Sequence, residues 1–321
     1  MDFLLDNPLA TMYGPTFLVL YAVLAVITLA VTAIARSNID KTERMPAPAI
    51  PPQVDPYEVA FLRGGVNEMA RAVVFALVQK GFAAISSDGT RILRLANTPE
   101  PKTLSVIEQR ALDWLGRERE AKEVFDSSIG LSARLKDFSE RYEHELEGRQ
   151  LISTGLMKMT AKTYARSAAL LLGIFGGYKV IAAILNGRSN VVFAIILTIA
   201  AVLIAISLRK LPRMTKLGRR YVDRLQAAFE DLKYRSQAPY IAGATATPVA
   251  VQAGSAGIDP LLLSVGVFGT GILAGTMFAN YNDTFARAQQ ASSGGSCGSS
   301  CGSSCSSGCG SGCGGGCGGC S

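Results

Sequence analysis

Thr16-Phe-Leu-Val-Leu-Tyr-Ala-Val-Leu-Ala-Val-Ile-Thr-Leu-Ala-Val-Thr-Ala-Ile-Ala35 runs for twenty residues without a charge. As a helix rising 1.5 Å per residue it is about 30 Å long, the thickness of a bilayer's hydrocarbon core. This stretch makes the chain read as a membrane protein. Ala33-Ile34-Ala35 has the small-x-small form of a signal cleavage site. The preceding residues, however, include Asp2 and Asp6 and no Lys or Arg, whereas a secretory signal needs a basic start and a shorter apolar run. A retained anchor is expected.

Further blocks share the composition. Ser167–Leu185 is broken only by Lys179, and Val191–Leu208 carries no charge. Pro260–Ala279 is long enough to span but holds Gly266, Gly269, Gly271 and Gly275, which weaken its insertion energy. The fold class is therefore a mainly α membrane protein with three to four transmembrane helices. Lys179 sits roughly 9 Å from the outer end of its span, a depth from which its ammonium can snorkel to the headgroups. An ion or proton path needs further charged residues, and the other spans have none. Gly173 and Gly177 form a G-x-x-x-G that permits close contact with the next helix.

The net charge of +7 collects at the span ends. Arg36, Lys41 and Arg44 follow the first block, and Lys158, Lys162 and Arg166 precede the second. Arg209, Lys210, Arg213, Lys216, Arg219 and Arg220 follow the third, while the opposite side offers only Arg188. Basic flanks are retained in the cytoplasm, so the N-terminus is expected outside and residues 36–166 inside a multi-pass cell-membrane protein.

These spans divide the chain into domains. Residues 1–44 form an anchor, with its span at about 16–35. Residues 45–54 form a Pro-rich linker that lifts the next segment off the bilayer. Residues 55–150 form a small cytoplasmic α+β domain. Within it, Pro56–Leu62 is a short helix ended by Gly64-Gly65, and Asn67 caps a second helix that stops at Gly81. Phe82–Ser86 and Arg91–Leu95 are strands joined by a turn at Asp88-Gly89. Ser105 and Glu108 make a capping box, and Leu131, Leu135, Phe138, Tyr142 and Leu146 form one buried stripe. Residues 151–208 are a two-span hairpin (about 167–185 and 191–208). Residues 209–235 form a basic amphipathic helix whose face of Leu217, Tyr221, Val222, Leu225, Phe229 and Leu232 either lies on anionic lipid or covers the domain. Residues 236–259 form an Ala/Gly/Thr linker, 260–279 a fourth span, and 280–321 a disordered tail.

Two helices, a two-stranded wing and a further helix give the domain a winged-helix-like order. Between Gln53 and Gln150 it has fourteen Lys/Arg against sixteen Asp/Glu, a net charge of −2. It lacks the basic footprint of a nucleic-acid binder, although Arg63, Arg71, Arg91 and Arg94 could gather locally, so docking of another membrane or cytoplasmic protein is the better expectation. No enzyme is expected. The lone histidine, His144, lies among Glu143, Glu145 and Glu147 and reads as a solvated side chain. Asp113 and Glu118 read as exposed helix charges.

The stretch Asp55-Pro56-Tyr57-Glu58-Val59-Ala60-Phe61-Leu62-Arg63-Gly64-Gly65, with a helix ending in Gln79-Lys80-Gly81, resembles a family of uncharacterised bacterial membrane proteins. These carry a domain termed "near-uncomplex" and usually a Gly/Ser/Cys low-complexity tail. The resemblance covers most of the chain and implies a bacterial integral membrane protein, with no activity attached.

All seven cysteines fall in the last twenty-five residues: Cys297, Cys301, Cys305, Cys309, Cys313, Cys317 and Cys320. Only Gly and Ser fill the intervals, and without apolar side chains the segment cannot offset the entropy of ordering it. Three roles fit a row of thiols. They can hold a soft metal ion, zinc or copper, although only Cys317–Cys320 has the C-x-x-C spacing of a zinc knuckle. They can form disulfides if they reach an oxidising compartment. Or Ser and Cys together can be substrates for peptide-modifying enzymes that form thioethers. A plain spacer would not need regularly placed, oxidisable thiols.

Overall fold

The computed structural model describes residues 14–96, 103–185, 192–231, 259–273 and 276–292, which include none of the cysteines. The fold is mainly helical, with a three-helix bundle standing on a mixed α/β domain.

The bundle comprises α1 (Gly14–Ser37), α7 (Gly155–Leu185) and α8 (Val192–Ser207). Two helices, Pro15–Ser37 and Gly155–Ile184, are long and apolar enough to cross a membrane, and only 22% and 28% of their apolar windows are buried. Most of their apolar side chains therefore face outward, among them Val26, Ile174 and Ile181, unlike those of a helix sunk in a water-soluble core. α8 is shorter, with 16 residues. Its expected hairpin turn with α7 lies outside the described residues. α7 starts at Gly155, twelve residues before the apolar block, because nothing between Thr154 and Ser167 breaks a helix.

Small residues and rings set the bundle's contacts. Phe17, Tyr21 and Phe175 stack with centroids 5.9–6.3 Å apart, and the Tyr21 hydroxyl donates to the Leu172 carbonyl at 3.1 Å. α7 and α8 approach closely at Gly176, where a Cβ would clash with the Thr198 side chain. Gly177, the second glycine of the expected motif, has open space beside it. Lys179 does not snorkel along the lipid face. It is 5% exposed, with its ammonium 5.1 Å from the centre of the Phe17 ring.

In the α/β domain, α2 (Pro56–Gly64) begins with Asp55 accepting the Tyr57 amide and Pro56 in the first turn, where a missing N–H costs nothing. Gly65 has φ 79°, a value glycine adopts without strain. It ends α2 and precedes α3 (Val66–Gln79), so Asn67 is no cap; its side-chain oxygen accepts the Ser132 hydroxyl instead. Strands β1 (Ala83–Ile85) and β2 (Arg91–Arg94) pair antiparallel, Ala84 opposite Leu93, around the Asp88-Gly89 turn. A third strand, β3 (Arg119–Glu120), pairs with β2 through Ile92 and Arg119. Between them lies α4 (Val106–Trp114), opened by the Ser105/Glu108 capping box. α5 (Leu131–Arg134) and α6 (Lys136–Gly148) bury Leu131 and Leu146, Leu135 is buried between them, and Phe138 and Tyr142 pack against the same core.

The rest of this core comes from segments expected elsewhere. Residues 260–279 do not form a fourth span. α10 (Pro260–Phe268) has nine residues and ends at Gly269, φ 95°, before a 3₁₀ turn at Thr270–Leu273. Leu262, Leu263, Val265, Val267, Ile272 and Leu273 are buried in the domain core. Apolar composition drives burial in protein as readily as in lipid, and a helix this short fits only the former. α10 packs on the start of α2, where a Cβ on Gly266 would lie 2.6 Å from the Pro56 carbonyl oxygen. Gly266→Leu is expected to lower the domain's stability by about 1–3 kcal/mol, the usual cost of overpacking, read by thermal melting.

The tail expected from residue 280 begins instead as helix α11 (Ala279–Ser292). Tyr281, Phe285 and Ala288 enter the core, and the Tyr281 ring sits edge-on to Phe75 at 5.4 Å. The amphipathic helix α9 (Lys216–Ala228) turns Leu217, Tyr221, Val222 and Leu225 into the same core. It covers protein and leaves no apolar face for lipid.

The Pro-rich linker is likewise bound to the domain. Ala47 and Ile50 pack on the core and Val54 is buried within it. Arg220 donates to the carbonyls of Thr42 and Met45, and Arg224 to that of Ala47. Asp40 accepts the Lys216 amide at 2.6 Å, and the Thr42 hydroxyl accepts the Leu217 amide, so this strap caps α9. Burial opposes ionisation of Asp40, but hydrogen bonds donated by the Thr42 hydroxyl and by the Lys216 and Thr42 amides outweigh it and hold the carboxyl below its ordinary value. The two links between bundle and domain also join. Ile152 bridges to Met214, and the Ser153 amide donates to the Arg213 carbonyl at 2.8 Å. The Thr215 hydroxyl donates to the Gln150 carbonyl at 2.7 Å.

Candidate functional site

The Asp55–Glu58 stretch opens onto a cleft of about 340 Å³ between α2, the start of α4, and α6. Ser105, Val106 and Ile107 form one wall, and Phe138, Arg141, Tyr142 and Glu145 the other. Each polar residue of the stretch has a partner. Asp55 caps α2 with one carboxylate oxygen and accepts the Tyr142 hydroxyl at 2.6 Å with the other. The Tyr57 hydroxyl donates to Glu108 at 2.5 Å. Glu58 accepts from Arg149 at 2.9 Å.

Glu108 is the centre of this network. It is 2% exposed and also accepts the Lys80 ammonium at 2.7 and 2.8 Å and the Ser105 amide at 2.8 Å. A buried carboxylate needs such a full set of donors. Burial, reinforced by the Glu108 carboxylate, pushes the Tyr57 phenol far above its ordinary value. Burial beside Asp55 does the same to Tyr142. Both rings stay neutral donors. Burial also raises the Glu58 carboxyl, against the opposing pull of Arg149. The cleft is thus a braced, acidic and aromatic recess.

A second network joins α11 to α3. Arg71 donates to Glu68 at 2.9 Å, to the Phe285 carbonyl at 3.3 Å and to the Gln289 side chain, and its guanidinium lies 5.1 Å from the centre of the Phe125 ring. Arg63 donates to the other oxygen of Glu68 at 2.7 Å. Arg91, on β2, pairs with Glu118 at 3.0 Å. Three of the four arginines that could have formed a basic patch are thus tied to acids.

His144, on α6, is exposed, as are Asp113 and Glu118. Cys297, Cys301, Cys305, Cys309, Cys313, Cys317 and Cys320 lie outside the described residues. Among the described residues, no group of three or more His, Cys, Asp or Glu side chains could hold a metal ion. Local spacing marks Glu108 as a cap but not as the partner of Tyr57 and Lys80, which depends on tertiary contact. The role of 279–292 had a visible signal: Tyr281, Phe285 and Ala288 recur at helical spacing.

No protein-family model matches the chain, and neither curated proteins nor solved structures give a match.

Proposed function

We propose that the chain is a non-enzymatic bacterial membrane protein whose anchored domain holds the thiol-rich segment Cys297–Cys320 in the cytoplasm, where it binds a soft metal ion such as Zn²⁺ or Cu⁺. One observation carries this reading: α11, which ends five residues before the first cysteine, is built into the core of the α/β domain. A chain leaving that core starts on the domain's side of the bilayer. The basic flanks favour the cytoplasm for that side, and thiols there stay reduced. Reduced cysteines in a row favour thiolate ligation over disulfide crosslinking. The resemblance to the near-uncomplex family, carried by Asp55–Gly65, agrees with a bacterial membrane setting.

Within this proposal the domain is winged-helix-like, since α2 and α3 precede the β1–β2 hairpin and α4 comes after it. It docks protein rather than nucleic acid, a reading favoured by the acidic, aromatic cleft beside Asp55 and by the arginines already paired with acids.

A membrane-impermeant maleimide should label the cysteines only after cells are broken open, and the purified reduced chain should hold about one to two zinc ions, four thiolates serving each. Labelling of intact cells after a mild reductant would place the segment outside and restore the disulfide reading. Zinc binding unchanged in a variant with all seven cysteines replaced by serine would end the metal reading, as would thioether crosslinks found by mass spectrometry.

A further inference from the structure

α7 carries one continuous surface stripe with two chemical halves. Lys158, Lys162, Arg166, Leu170 and Ile174 recur every fourth residue, so they form a ridge that winds slowly around the helix, each side chain beside the one a turn away. Lys162 and Arg166 are exposed, and neither pairs with an acidic side chain among the described residues; Lys158, one turn earlier, is held by Glu143 at 3.3 Å. Directly beyond Arg166 the stripe becomes apolar, with Leu170 64% and Ile174 69% exposed. Tyr164 is exposed at the level where the halves meet, a depth suited to an amphipathic ring.

We infer that this stripe is a binding site for a single anionic phospholipid. The headgroup phosphate lies between Lys162 and Arg166, and an acyl chain runs along Leu170 and Ile174. The site rests on the membrane reading of α1 and α7. Two cations one helical turn apart converge on a phosphate, and Arg offers it two parallel N–H donors. The apolar half excludes free phosphate as the best-fitting ligand, because only a lipid satisfies both halves at once. The basic helix α9 is not the lipid contact, since its apolar face is spent on the domain core. On α7, by contrast, exposed cations and exposed apolar side chains follow one another along a single ridge.

The test uses the full chain, purified in mild detergent with limiting phosphatidylglycerol or phosphatidylcholine and analysed by native mass spectrometry. Phosphatidylglycerol should be retained in preference to phosphatidylcholine. Each basic residue near an anionic headgroup contributes about fivefold, so the double variant Lys162→Gln/Arg166→Gln should retain about twenty-five-fold less. The control Lys41→Gln/Arg44→Gln, on the strap, should retain as much as the wild type. Leu170→Asn/Ile174→Asn should weaken phosphatidylglycerol retention and leave any response to inorganic phosphate unchanged. Equal retention of the two lipids, or equal retention by the Lys162/Arg166 variant and the wild type, overturns the site. So does displacement of the lipid by millimolar inorganic phosphate. Alkaline extraction of phosphatidylcholine vesicles separates this from the underlying reading. A chain that stays in the vesicles without lipid preference loses only the site, whereas one released into the supernatant loses the membrane assignment too.

Discussion

Ending the chain after residue 231 is expected to unfold the α/β domain while the helical bundle stays folded. The cut removes Leu262, Leu263, Val265, Val267, Ile272, Leu273, Tyr281 and Phe285, all buried in the domain core. Each such side chain is worth about 1.5–3 kcal/mol when fully buried. Their sum, about 12–24 kcal/mol, matches or exceeds the roughly 5–15 kcal/mol of net stability that a whole domain has. The cut also strips the Phe285 carbonyl and Gln289 from Arg71, leaving a guanidinium without two of its acceptors. Limited proteolysis should show it: residues 55–150 should be cut rapidly in the shortened chain and resist in the full one, with α1 and α7 protected in both. Equal resistance in both chains would mean that α10 and α11 only decorate a domain that folds without them.

Glu108→Ala is expected to cost about 2–4 kcal/mol. The change removes the capping-box acceptor of the Ser105 amide, worth about 1 kcal/mol. It also leaves the buried Tyr57 hydroxyl without its acceptor, at about 1–3 kcal/mol. Lys80 is a third exposed, so its ammonium rehydrates and adds little. Glu108→Gln keeps an acceptor for both neutral partners and should cost about 1 kcal/mol. Tyr57→Phe, combined with Glu108→Ala, should add almost nothing, because both changes break the same bond. Chemical denaturation of the variants beside the wild type checks the series. Full additivity of the double variant would show that Tyr57 and Glu108 are independent, and the cleft would lose its brace.

Elements with local signals were legible in the sequence. α1 showed as an uncharged run, the β1–β2 hairpin as Asp88-Gly89 between apolar segments, α4 as a capping box, and the α5–α6 stripe as helical spacing. The elements that depend on distant partners did not show. Arg119–Glu120 has no strand pattern, and it pairs only because β2 offers an edge. Pro260–Phe268 looked like membrane because hydropathy reports a wish for burial and not the solvent that satisfies it. Gly269, which ends that helix with a left-handed φ, was the local mark of the alternative. Ser236–Ile258, outside the described residues, suggested detachment, whereas α10 and α11 beyond it return to a distant core, since closure entropy grows only slowly with the length of chain between contacts. Of the cleft, Asp55 and Glu58 were visible as a motif, whereas the link from Tyr57 through Glu108 to Lys80 joins residues that no sequence spacing relates.

The return of α11 to a core begun at Val54 also sets a schedule for biosynthesis. A ribosome adding about 5–20 residues per second needs roughly 7–30 s to pass from the end of α6 to the end of α11. During that interval α7 and α8 emerge, and on the membrane reading proposed above they can be handed to the insertion machinery, while the half-built domain still lacks the pieces that seal it. Apolar Leu and Val in α10 are then the last large hydrophobic segment to appear, with two possible destinations, the open core and the translocon. The nine-residue length and the Gly269 break therefore do more than shape a helix: they steer a late-arriving apolar segment away from the lipid and toward the core waiting for it.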